Sequence, residues 1–319
     1  MLNQLEQLKT FSTVVIDTGD MDAIGSFRPE DATTNPSLVY KALQLPRYQD
    51  LVERVLFEYR HRELDVPQAM DQVTVRLGGE ILKLIPGRIS SEVDARLSFD
   101  QVATVQRARQ MIQAYENMGV DRERVLIKIA ATWEGIRSCA ILEAEGIKTN
   151  MTLVFSLTQA EAAAQSGAFL ISPFVGRILD WYRQHDPERD FGGVQDPGVQ
   201  SVRAIYRRFR EQGYATVVMA ASFRNLDEIR LLAGCDRLTI APSLLKALQE
   251  STEPLNAALR AEDIERTQRL PVYVDEKRFR WFLNEDAMAH EKLGEGIRLF
   301  ARDLKSLEDV LLERWRRLG

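Results

Sequence analysis

Cysteine and histidine are scarce in this chain of 319 residues: there are two cysteines, Cys139 and Cys235, and three histidines. Two cysteines cannot build a disulfide framework, and a chain this long buries enough surface to fold without one. Residues 1–12 are amphipathic and lack the apolar stretch of a secretory leader. Both thiols are therefore expected to be free packing residues in a reducing, cytoplasmic compartment. His61, His185 and His290 are scattered, lie in no strand-like run and show no zinc-ligand spacing, so no metal or other cofactor is expected. An excess of basic residues is also missing. Lysine plus arginine number 42 against 47 acidic residues, a net charge of −5, which gives no support for a nucleic-acid partner but leaves room for a local basic pocket. Long hydrophobic runs are absent. The longest uncharged stretch, 162–176, has 15 residues and is broken by Ser, Gly and Pro, short of the roughly 20 apolar residues that span a bilayer.

What the chain does have is a repeated unit. Short apolar or β-branched runs recur at 13–18, 31–36, 87–94, 125–131, 149–155, 168–174, 216–222 and 237–242. Helical periodicity falls between most of them, at 37–60, 68–84, 101–117, 135–145, 159–166 and 199–211. Strands alternating with helices imply a parallel sheet. Eight such strands in a chain of this length predict an α/β fold, a single-domain (β/α)8 TIM-type barrel spanning 1–319. An open doubly wound sheet is the alternative; the first strand is not followed by G-x-G-x-x-G, which weakens its dinucleotide-binding version. Residues 185–198 and 250–270 read as irregular. Residues 275–318 read as additional helices packing outside the barrel.

A barrel strand should be apolar, yet several of these carry polar residues two apart: Thr33 and Asn35, Ser90 and Glu92, Asn150 and Thr152, Ser222 and Arg224. Ser172 is followed two on by Phe174. Positions i and i+2 of a strand share a face, and near the C-terminal end of a barrel strand the inward face lines the site. Asp17 and Lys128 join the set from inside aliphatic runs. A lysine there is costly to bury as a cation. It either snorkels or pairs with a carboxylate, or it is desolvated to a free amine able to attack a carbonyl. Asp17 and Glu92 can move protons, while Asn35, Asn150, Thr152 and Ser172 can hold hydroxyls. Arg177 and Arg224 each follow a strand at the expected start of a helix, the second helix being expected over 225–233. Guanidinium forks beside free helix N–H groups suit a phosphate.

The segments DATTNPS, ILKLIPGRISSEVDARLSFD, VLIKIAATWEG, NMTLVFS, ISPFVGRILDW, MAASFRN and AGCDRLTIAP together resemble the transaldolase family, of its longer type, from about residue 5 to beyond 310. The resemblance implies an (α/β)8 barrel and transfer of a dihydroxyacetone unit between sugar phosphates, from sedoheptulose 7-phosphate to glyceraldehyde 3-phosphate, without a cofactor. It implies that Lys128 forms the Schiff base, that Asp17 takes the C4 hydroxyl proton, and that Glu92 works through a water positioned by Thr152. Asn35, Asn150 and Ser172 would hold sugar hydroxyls or the enamine; Arg177, Ser222 and Arg224 would hold the phosphate, with Thr33 as a pocket neighbour, and Phe174 joins the pocket by its spacing of two from Ser172. It also implies a homodimer. Ala131, Ala220, and Leu157 with Thr158 depart from the common family pattern and bear on pocket packing rather than reaction type. A class I fructose 6-phosphate aldolase shares these features and differs in releasing dihydroxyacetone. A non-catalytic sugar-phosphate sensor would have no need of a buried amine beside two carboxylates.

Overall fold

The structure, a computed structural model, describes residues 2–59 and 64–318; His61 and the end of the helix expected over 37–60 lie outside them. Eight parallel strands close a barrel in chain order: β1 (Thr13–Asp17), β2 (Asp31–Thr33), β3 (Ile89–Glu92), β4 (Val125–Ala130), β5 (Thr149–Val154), β6 (Leu170–Pro173), β7 (Val217–Ala220) and β8 (Arg237–Ile240). Every expected strand is present, though β2, β6 and β7 stop short of the apolar runs that announced them. The closure is sealed at the N-terminal end by an ion pair between Arg237 and Asp31. Outward aliphatic residues such as Ile16, Ile127, Met151 and Ile240 are buried in one continuous core. An inner group of Val15, Leu126, Leu170 and Met219 fills the barrel's interior, as expected where side chains stack in layers.

The helices differ from their periodicity where proline and capping residues intervene. The helix expected over 37–60 is split into Pro36–Ala42 and Gln49–Phe57, with a short 3-10 turn Pro46–Tyr48 between them. Pro46 has no N–H and pushes the preceding Leu45 into extended backbone. The next helix runs Val66–Leu82, started by Asp65, whose side chain accepts from Gln68 N, with Pro67 in its first turn. Gln101–Asn117 occupies the expected span.

The C-terminal helices require a correction. Glu276–Glu285 does pack on the outer helices, but Ala287–Leu318 does not lie outside the barrel. It crosses the C-terminal ends of the strands. Asp303 accepts from Ser37, which begins the helix after β2; Glu308 pairs with Arg96 beyond β3 at 2.7 Å; and Gly296 sits against Leu153 of β5. Amphipathic periodicity showed that this helix has a buried face, but not which surface receives it.

One local distortion bears on the site. The β5–β6 register shifts between Met151 and Val154, and Leu153 adopts a left-handed conformation with φ 56°, uncommon for a branched residue. Gln159 stabilises it. This fully buried side chain donates to the carbonyls of Leu153 at 3.0 Å and Ala131 at 2.9 Å and accepts from the Phe155 N–H. Leaving such buried groups unpaired costs about 1–3 kcal/mol each. The bulge is thus held by the capping box of Ser156 and Gln159 that starts the helix Leu157–Gln165.

Candidate active site

Strand register places the candidate groups side by side. Glu92 on β3 is the cross-strand partner of Lys128 on β4, and Lys128 is the partner of Asn150 on β5. On the adjoining strands, Asp17 on β1 pairs with Thr33 on β2, which in turn pairs with Ser90 on β3. Because each member points inward, one layer of the barrel is polar. A cavity of about 180 Å³ opens above it at the C-terminal mouth, lined by Asp17, Thr33, Asn35, Lys128, Thr152 and Ser172, and then by Phe174, Arg177, Ser222, Arg224 and Phe300. A larger recess of about 1150 Å³ at the opposite end of the barrel, beside Lys9, Arg28 and Arg210, contains none of this set. Chemistry and the end of the barrel, not volume, mark the site.

Lys128 is only 5% exposed. Its Nζ lies 3.1 Å from Glu92 Oε2 and donates to the Thr34 carbonyl at 3.2 Å. The pairing with a carboxylate weighed from sequence is therefore present, and the amine is still one wall of the cavity. Both carboxyls are held above their ordinary range. Burial raises Glu92, opposed mainly by Lys128; burial likewise raises Asp17, opposed by Lys128 and by a hydrogen bond from Thr33. Thr33 Oγ1 donates to Asp17 Oδ1 at 2.8 Å and lies 2.7 Å from Thr239 Oγ1. With its one proton spent on Asp17, Thr33 must accept from Thr239. Two buried carboxyls flanking one amine can shuttle protons without a metal.

Asn150 lies behind the cavity wall. Its Nδ2 donates to Ser90 Oγ at 3.0 Å, and its Oδ1 accepts from Ser172 Oγ at 2.7 Å, so it orients Ser172. Thr152 Oγ1 is buried with no hydrogen-bond partner among protein atoms, which leaves the hydroxyl available to a water or a substrate oxygen. Asn35 has two roles, since its side chain also caps the helix Pro36–Ala42 by accepting from Leu38 N at 3.0 Å.

The cationic end is built differently from expectation. Arg224 is aimed by a salt bridge to Asp180 at 2.7 Å. The helix after it spans only Leu226–Leu231, and side chains already take one of its first-turn N–H groups and the N–H of Arg224 itself. Arg224 N donates to Glu228 Oε2 at 2.6 Å and Glu228 N to Asn225 Oδ1 at 3.0 Å. The anion-binding capacity there rests chiefly on the guanidinium. Glu228 is itself pushed up to about 7, mainly by burial and with the neighbouring Asp196 contributing. Ser222 lies past the end of β7 with φ 64°, so strand alternation does not explain why Ser222 and Arg224 both reach the cavity. Arg177 opens the helix Gly176–His185. Its Nη1 is buried without a hydrogen-bond partner, and burial together with Arg224 lowers its pKa. Two guanidinium groups converging on one cavity make a place for an anion.

Gly176 is required by this arrangement. A Cβ there would sit 2.5 Å from both Arg224 Cγ and the Ser222 carbonyl oxygen. Gly176→Ala is expected to displace Arg224 and to raise KM for a phosphorylated substrate about tenfold, roughly 1.4 kcal/mol, with a smaller change in kcat. Equal KM values for variant and wild type in steady-state assays would remove Arg224 from the binding site.

Five lining residues of the cavity escaped the sequence reading: Ala221, Phe223, Thr239, Ala241 and Phe300. Thr239, in the strand run 237–242, follows the same inward-polar rule and could have been found by it. Phe300 gave no signal, because an apolar residue on an amphipathic helix reads as core. Ala131, Ala220 and Leu157 lie outside the cavity lining, and both cysteine thiols are fully buried and pushed up to about 12 by burial, as befits packing residues. His185 stacks on Trp181 at 3.8 Å and His290 is exposed, and neither lines the cavity.

Comparison with known proteins places the chain in a family. The family described as transaldolase/fructose-6-phosphate aldolase matches residues 14–311. A transaldolase of Stutzerimonas stutzeri (strain A1501) is 56% identical over 313 residues, covering 98% of this chain and 99% of that one. A transaldolase of Cellvibrio japonicus (strain Ueda107) is 53% identical over 318 residues, with 98% and 99% coverage. The chain belongs to the transaldolase/fructose-6-phosphate aldolase family.

Proposed function

We propose that this transaldolase moves a dihydroxyacetone unit from sedoheptulose 7-phosphate to glyceraldehyde 3-phosphate, giving erythrose 4-phosphate and fructose 6-phosphate, through a Schiff base on Lys128. The observation that carries the reading is a single cavity with a buried amine between two carboxyls at one part and two guanidinium groups at another.

The ketose phosphate binds with its phosphate on Arg177, Arg224 and Ser222. Neutral Lys128 attacks C2, and the carbinolamine loses water to give an iminium. Glu92 handles the protons of that dehydration through a water held by Thr152. The iminium withdraws electrons from the C3–C4 bond. Asp17, as carboxylate, takes the C4 hydroxyl proton while that bond breaks and the C4 aldehyde leaves. The electron pair remains in a three-carbon enamine on Lys128, whose hydroxyls are held by Asn35 and by Ser172, the latter oriented by Asn150. An incoming aldose phosphate is attacked by the enamine carbon, Asp17 returns its proton to the new alkoxide, and hydrolysis of the iminium frees the product. We take the protein to be cytoplasmic and homodimeric; Trp281, Phe282 and Tyr273 are exposed on the outer surface near the C-terminal helices and offer an apolar face for a partner.

The test is to incubate the protein with fructose 6-phosphate and follow glyceraldehyde 3-phosphate with a coupled enzyme, with and without erythrose 4-phosphate. Sustained release only with the acceptor is the expected outcome. Sustained release without it would establish an aldolase instead.

The enamine's lifetime separates the two activities. Phe174 lies in the cavity and packs edge-on against Phe155, with ring centroids 5.5 Å apart. A phenyl ring has no proton to give. Phe174→Tyr introduces a hydroxyl beside the enamine and is expected to increase free dihydroxyacetone relative to transfer at least several-fold. An unchanged ratio of the two products would mean that Phe174 does not govern partition.

A further inference from the structure

The cavity has a wall that no barrel strand supplies. Phe300, on the helix Ala287–Leu318, is 2% exposed. Its ring centroid lies 6.0 Å from Lys128 Nζ and 5.5 Å from Arg177 Cζ. The ring of Phe174 lies 5.1 Å from the same guanidinium carbon. Arg177 is thus held by two aromatic rings, and this has a chemical consequence. A carboxylate partner would neutralise the guanidinium and compete with an incoming phosphate. Ring faces attract the cation while leaving its N–H donors unspent, and Nη1 is in fact buried without a hydrogen-bond partner.

The helix is seated closely enough for this to be specific. Gly296 is one turn before Phe300, on the same helical face. A Cβ at 296 would lie 2.7 Å from Leu153 Cδ2 and 3.3 Å from Arg177 Nη1. Glycine therefore lets the helix descend onto the β5 bulge and brings the Phe300 ring over the lysine.

We infer that Phe300 is a positioning residue of the transfer reaction: its ring steadies Arg177 for the substrate phosphate and closes the cavity over Lys128 against water. Water is the competitor of the acceptor. When the enamine is protonated at carbon and water adds to C2 of the resulting iminium, the C2–N bond breaks, the lysine amine is freed and dihydroxyacetone is lost, with one water consumed. Excluding water keeps the enamine for the acceptor. The inference rests on the transaldolase reading above.

The experiment compares Phe300→Ala, Phe300→Leu and Phe300→Tyr with wild type. For each, KM and kcat for fructose 6-phosphate are measured, together with the ratio of glyceraldehyde 3-phosphate released without acceptor to transfer with erythrose 4-phosphate. Phe300→Ala is expected to raise KM about tenfold and the release-to-transfer ratio at least fivefold. Phe300→Leu keeps apolar bulk without a ring, so KM rises while the ratio stays within twofold of wild type. Phe300→Tyr restores the ring and recovers KM. If Phe300→Ala fails to fold, the Leu and Tyr variants decide, and equal KM values for those two overturn the inference. A loss confined to kcat in Phe300→Ala, with KM and ratio within twofold of wild type, overturns it as well. Borohydride trapping of wild type with fructose 6-phosphate separates the two levels. Without a trapped adduct the Schiff-base reading fails and the inference falls with it; with an adduct and an unmoved ratio, only the role of Phe300 falls.

Discussion

Lys128→Met is expected to lower kcat by about four orders of magnitude or more, as loss of a covalent nucleophile does, and to abolish the borohydride-trapped adduct with fructose 6-phosphate. The physical interest of this variant is that the fold should survive. Lys128 and Glu92 are both nearly inaccessible, with side-chain exposures of 6% and 3%. Breaking a buried ion pair typically costs about 3–5 kcal/mol because one charge is left unpaired. Here the abandoned groups are carboxyls that burial already holds above their ordinary range, so they take up protons instead of remaining charged. Methionine fills the space of the lysine stem. Circular dichroism and thermal melting check the fold, and the coupled assay checks turnover. Turnover near wild type in a folded variant would place the nucleophile elsewhere.

Asp17→Asn separates imine formation from carbon–carbon cleavage. The amide cannot accept the C4 hydroxyl proton, so kcat is expected to fall by about 10²–10⁴, the range for a positioned acid–base group. Lys128 is untouched, so the adduct should still be trapped. Loss of trapping together with turnover would make Asp17 a structural support of the lysine and not the base. The wild-type pH profile carries the same information. Asp17 acts as carboxylate, and burial raises its pKa from the ordinary 3.8. Activity should therefore be present above this raised value and be lost as pH falls through it, at a pH higher than a solvated aspartate would give. Thr33→Val removes the hydroxyl that donates to Asp17 at 2.8 Å and that opposes the rise. A hydrogen bond to a charged group is worth about 1.5–3 kcal/mol, so the acid limb should move up by roughly one to two pH units. A limb that stays in place in Thr33→Val would assign it to another group.

Much of this site was legible in the chain before folding was considered. Polar residues inside barrel strands are anomalous, and their spacing of two named Thr33, Glu92, Asn150 and Thr152 because β pleating is a local property. Where a strand ends, that logic ends too. Asn35 still obeys it, since its backbone stays extended. Ser222 does not, because its left-handed backbone reverses the direction of the chain. The helix N-termini proposed for the phosphate fared unevenly, since N–H groups near Arg224 are consumed by Glu228 and Asn225, a competition between side chains that spacing does not reveal.

The sequence by itself determined the eight strands, the parallel alternation with helices, and the buried amine with its two carboxyls, because each follows from a period or from the cost of burying a charge. Only the tertiary structure decided the rest: that register makes Glu92, Lys128 and Asn150 neighbours, that Asp17 and Thr33 extend the layer from the adjoining strands, and that the last helix covers the mouth and delivers Phe300. These are contacts between residues up to hundreds of positions apart. The free energy that fixes them is the burial of whole faces against one another, and no local pattern in the chain records which face meets which.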